Sequence, residues 1–102
     1  MIITRQGDVA FVKRELPAGA NRVKRVRGRL VLAEGEATGH THAVATPKAE
    51  LWRVGGEMFL LVPKGGAAVE HEEHSPVALQ KGCYEVIRQV EYDGELERRV
   101  LD

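Results

Sequence analysis

A chain of 102 residues can enclose one hydrophobic core but not two, so residues 1–102 are read as a single domain. The apolar share of 43% suits a globular protein, while 5% aromatics leaves the core to Val, Leu, Ile and Ala, a valine-rich mixture that favours strands. The formal charge of zero is unevenly spread: residues 1–32 hold eight Lys or Arg against Asp8 and Glu15, and the remainder holds seven basic against thirteen acidic residues.

No apolar run approaches the roughly 20 residues that a membrane-spanning helix needs, and MIITRQGDVA lacks the basic-then-apolar layout of a secretory signal. The expectation is a cytoplasmic protein with no membrane partner. Cys83 is the single cysteine, so no internal disulfide can form, which agrees with a reducing compartment, and its expected place is as a small apolar residue. Scarce Asn, Gln, Ser, Met and Cys beside abundant Arg, Glu and Val fit a thermophilic source. Polarised charge is compatible with an anionic partner or with a homodimer that pairs basic and acidic edges.

Breakers recur along the chain at Gly7, Pro17, Gly19, Gly28, Gly35, Gly39, Pro47, Gly55-Gly56, Pro63, Gly65-Gly66, Pro76, Gly82 and Gly94, which leaves segments of strand length. In chain order DVAFVKRE, RLVLAE, HAVAT, ELWRV, EMFLLVP, AAVEHEE, CYEVIRQVEY and ELERRVL read as extended. ELWRV-GG-EMFLLV predicts a two-residue hairpin, and Asp93-Gly94 predicts another. Trp52, Phe59 and Tyr84 are expected in the core. Tyr84, Val86, Arg88, Val90 and Tyr92 share one strand face, Gln89 lies on the other, and Arg88 on the apolar face requires a partner or an anionic ligand. The whole is all-β, a small barrel or two-sheet sandwich of about eight to ten short, mostly antiparallel strands, because an open sheet of that width would leave edges unprotected.

All four histidines fall in two tight pairs, in GEATGHTHAV and in VEHEEHSP. On a strand His40 and His42 project from one face, with Thr41 on the other, and two imidazoles so placed can chelate an ion such as Zn, Fe, Ni, Cu or Mn. His71 and His74 would fall on opposite faces of a regular strand. Either one of them serves the site, or the chain bends near Glu72 and admits both before Ser75-Pro76. Glu73 shares the face of His71, and Glu70 and Glu72 share that of His74, so a carboxylate accompanies either choice.

Gly35, His40, His42, Glu50, Pro63, Gly65 and His71 follow the order of the two motifs of the cupins, and over residues 35–74 the chain resembles that family of small metal-binding β-barrels, with longer intervals between the motif residues. The resemblance implies a cupin-like barrel that holds a metal through three His and one Glu, with open positions for a small-molecule ligand.

The candidate site is therefore His40, His42, His71, His74 and Glu73, and the expected cofactor is a divalent transition metal, in a structural site or in a small metalloenzyme for hydrolytic or oxygen chemistry. Two alternatives come from other classes. Arg22, Lys24, Arg25, Arg27 and Arg29 make a basic segment that could hold nucleic acid or phosphate, although a charged, solvated edge is the simpler role. The histidines could also cleave a phosphodiester without metal, as an acid–base pair.

Overall fold

A computed structural model describes residues 2–34, 39–88, 90–93 and 96–99, with side chains described within 4–34 and 39–88. The predicted turn residue Gly94, the motif glycine Gly35, and Gln89 lie outside the described residues, as do the side chains of Val90 and Tyr92.

The described secondary structure is all-β. Ten strands form two antiparallel sheets that face each other as a sandwich. The larger sheet contains β1 (Ile2–Gln6), β2 (Val9–Lys13), β3 (Asn21–Val23), β6 (Glu50–Val54), β7 (Glu57–Val62) and β10 (Gly82–Arg88), in the order β1-β2-β10-β7-β6-β3. The smaller contains β4 (Leu30–Glu34), β5 (Thr41–Val44), β8 (Ala67–Glu70) and β9 (Val77–Leu79), in that order. β11 (Val90–Asp93) and β12 (Leu96–Arg99) pair separately. No helix of the described residues is long and apolar enough to cross a membrane.

The core forms where the inward sides meet. Val9, Phe11, Leu51, Leu60 and Tyr84 come from the larger sheet and Leu30, Leu32, Val44, Val69 and Leu79 from the smaller, all nearly solvent-free. Gly55-Gly56 joins β6 to β7, with Val54 opposite Glu57 at the closing pair, as the sequence predicts. Trp52 departs from expectation. It is half-buried on the face of β6 opposite core residue Leu51, where its Nε1 donates to Glu50 and Arg22 lies over its ring.

β1, β3 and β9 were not anticipated, being short or strongly polar. The basic segment also bends back on itself. Val26 and Arg29 form a β-bridge around Arg27 (φ 53°) and Gly28 (φ 80°), two consecutive left-handed residues as a type I′ turn requires. Arg25 folds inward and donates to the carbonyls of Gly28, Thr46, Pro47 and Ala49 at 2.6–3.0 Å, tying that turn to the loop before β6.

The turn into β8 depends on Gly66. Its φ is 87°, and a Cβ there would stand 2.9 Å from the backbone oxygen of Leu79 on the neighbouring strand. Gly66→Ala combines left-handed strain with a clash that backbone cannot relieve cheaply, and should lower unfolding free energy by about 2 kcal/mol or more. Urea denaturation with an unchanged m-value checks this; a change within 0.5 kcal/mol would contradict it.

Candidate functional site

The pairing of β5 with β8 explains how two distant histidine pairs meet. Val44 stands opposite Val69 and Ala43 opposite Glu70. Continued past the last ladder pair, the same register sets His42 against His71, Thr41 against Glu72 and His40 against Glu73. Contacts follow that order: the His42 and His71 ring centroids lie 4.3 Å apart, the Thr41 N–H donates to Glu72 Oε1 at 2.8 Å, and His40 Nδ1 lies 3.5 Å from Glu73 Oε1. Of the two routes open for the second pair, the chain takes the bend. β8 ends at Glu70, and residues 72–74 turn around the His71 ring, whose Nδ1 accepts the N–H groups of Glu73 and His74 at 3.0 and 3.2 Å. His74 is thereby carried to 4.6 Å from His71 and 6.1 Å from His42 between ring centroids, and His40 stands 5.5 Å from His71.

The opposing wall comes from the larger sheet and includes two residues that pattern reading missed. Gln6 and Arg88 are both cross-strand partners of the core residue Val9, so all three face inward in one row. Asp8 follows from the Gly7-Asp8 turn between β1 and β2. Gln6 Nε2 donates to the carbonyls of Val69 and Ser75, each at 2.9 Å. With both amide protons so placed, Gln6 Oε1 is the acceptor in its 2.8 Å contact with His42 Nδ1, and that nitrogen must carry the proton. His42 is solvent-free, and in its neutral form Nε2 then presents a lone pair, 3.6 Å from Asp8 Oδ1. Asp8 is equally buried, and its Oδ2 accepts from Arg88 Nε at 2.7 Å, which meets the requirement that Arg88 has for a partner. The only signal for Gln6 and Asp8 in the sequence is a polar pair around a glycine turn, RQGDV, a pattern that most often marks a solvated hairpin end.

The last row of the sandwich is thus polar across both sheets: Gln6 and Arg88 on one side and His42 and His71 on the other, with Asp8, His40 and His74 closing the end. A model of the family described as a domain of unknown function (DUF8820) matches residues 5–89. The chain belongs to the DUF8820 family. Comparison with curated proteins and with solved structures gives no match. The DUF8820 match takes in every residue of the polar row and stops before β11.

Chemically the row holds imidazoles, one buried carboxylate and one guanidinium. With metal–nitrogen bonds of about 2.0–2.1 Å, two imidazoles on one tetrahedral ion have centroids roughly 5 Å apart, and the spacings here straddle that value. Donor atoms do not yet converge: among the described residues, no three His, Cys, Asp or Glu side chains are arranged to hold a metal ion. At His71, Nδ1 is occupied by two backbone N–H groups, so that its neutral ring carries the proton on Nε2.

Glu50, the cupin-motif glutamate, lies on β6 of the larger sheet, engaged by Trp52 Nε1 and 3.8 Å from Arg22. Of the basic residues, Arg25 is taken up by carbonyls and Arg22 by Trp52 and Glu50, while Lys24, Arg27 and Arg29 are exposed. Arg29 shares a small recess with Thr41, Glu70, His71 and Glu72, beside the polar row. Cys83 is half-buried, and burial pushes its thiol above the usual range, so it stays protonated as a packing residue would.

Two outcomes test this geometry. Gln6→Leu leaves two carbonyls and the His42 N–H without their partner and should cost about 3 kcal/mol; nitrogen NMR of the imidazoles should show the Nδ1–H form of His42 in the parent protein and a mixture in the variant. The Thr41 N–H, then the backbone N–H of Glu72 itself, and to a smaller extent the charges of His40 and His71 hold the Glu72 carboxyl below its ordinary value of 4.5. The anchoring of the β8–β9 loop by Glu72 is therefore complete above that value and lost as pH falls through the lower folded one. The Thr41 amide shift should titrate with a midpoint under 4.5.

Proposed function

We propose that this DUF8820 protein binds a divalent transition metal at the polar end of its sandwich, with His42 as the anchoring ligand and His40, His74 and Asp8 completing the set. The observation that carries this reading is the clamp on His42. A buried amide accepts from Nδ1, so that in the neutral ring Nε2 is the ligating nitrogen, 3.6 Å from a buried carboxylate, the arrangement by which an outer hydrogen bond selects the tautomer and orientation of a metal-binding histidine. His71 is the weakest candidate, because ligation through Nε2 would require its proton to leave while Nδ1 still accepts two N–H groups. Glu73 faces His40 from a largely exposed position and is an outer partner. Recruitment of His40 and His74 requires rotations of their side chains, which the bent 72–74 segment can follow. When bound, the metal would polarise a small ligand or acidify a water; the protein residues orient the His42 ring through Gln6 and hold Asp8 in place through Arg88.

Elemental analysis of protein purified without an affinity tag should find about one transition metal per chain, reduced to background in His42→Ala. Zinc at a hundred times its dissociation constant should stabilise the fold by about 2.7 kcal/mol, and affinity should fall in acid, where protons compete with the metal for its ligands. Metal-free protein with no zinc-dependent stabilisation would refute the reading.

One observation favours a second reading. The His42 and His71 rings lie 4.3 Å apart, close enough that two imidazoles of opposite protonation could cleave a phosphodiester without metal, one as base and one as acid. RNA cleavage that persists in EDTA and disappears in both His42→Ala and His71→Ala would select it.

A further inference from the structure

Beside the polar row, between the two sheets, lies a recess of about 220 Å³ walled by Val9, Leu32, Met58, Val86 and Ala33, with Arg88 as its charged residue. We infer that this recess binds a small monocarboxylate, its carboxylate on the guanidinium of Arg88 and its apolar body between the sheets. The inference deepens the metal-site reading by naming the class of ligand, and it rests on that reading only for the ligand being a substrate.

Three observations converge. Apolar side chains from both sheets contribute to the walls: Met58 and Val86 are cross-strand partners, and Leu32 sits at a β-bulge, where β4 slips register between Val31 and Ala33. Bulges re-aim side chains next to sites, and this one adjoins the strand pair that places His42. The single charge on the walls is cationic. Asp8 takes the Nε edge of Arg88, and among the described residues Nη2 has no hydrogen-bond partner, so a guanidinium with five donors retains capacity for a second anion. Size then limits the ligand. A cavity of roughly 150 Å³ accepts benzene, so this larger recess suits a carboxylate with a chain of about five or six carbons. A ligand seated there touches Arg88, whose other edge holds the Asp8 that faces His42.

Hexanoate and 1-hexanol, titrated into the full chain with and without zinc and followed by calorimetry and methyl NMR, test the inference. Hexanoate should shift the Met58 and Val86 methyls and bind at least about tenfold more tightly than hexanol. Gly56→Phe supplies a plug: the residue is on the rim, and a Cβ added there meets nothing within 4 Å. It should abolish hexanoate binding while the melting temperature and zinc uptake stay at parent values. Equal binding of hexanol, binding that survives the plug, or no binding to the folded protein would each overturn the proposal. Hexanoate binding without zinc uptake would overturn the metal reading and leave this one standing.

Discussion

One side-chain amide holds the polar end of this sandwich together. Gln6 is buried at the end of β1 and reaches three otherwise separate pieces of chain: β8 at Val69, the loop before β9 at Ser75, and His42 on β5. Its two protons and one acceptor are all engaged, which in a low-dielectric interior is the condition under which a polar group stabilises rather than costs. Because both amide protons go to carbonyls, the amide also fixes Nδ1 as a proton-bearing nitrogen of its histidine neighbour. Structure and chemistry are coupled through that bond.

Around it, the sandwich trades apolar packing for polarity in a single row. Further inside, Val44 faces the Val9, Phe11 and Leu60 side of the larger sheet, and hydrophobic burial supplies the driving force. At the end row the same inward positions carry Gln6, Arg88 and His42. Asp8 and Arg88 neutralise each other there, which makes the burial of a carboxylate tolerable. The row thus concentrates the buried polar side chains of the sandwich at one end, beside the recess lined by Arg88.

Much of this was legible from local pattern. Glycine spacing and alternation indicate an all-β chain of short strands, Gly55-Gly56 marks a hairpin, and Arg88 on an apolar face demands a partner. The pairing of four histidines points to one site. The requirement for a bend between His71 and His74 follows from strand parity alone. Other features had no local signature. Gln6 and Asp8 look like the polar end of an exposed hairpin, Trp52 looks like core, and five basic residues in eight look like one stripe although Arg25 turns inward to cap carbonyls.

The division has a physical cause. Side-chain alternation, turn preference and composition are properties of neighbours along the chain, so the sequence by itself determined the class of fold, the hairpin and the candidate imidazoles. Which ring faces which, who holds the proton on His42, and why His71 is preoccupied with its own backbone depend on contacts between residues up to 69 positions apart. Those were decided only when the antiparallel register of β5 and β8 and the Gly7-Asp8 turn brought both sheets to one end, because hydrogen-bond direction is set by partners in space.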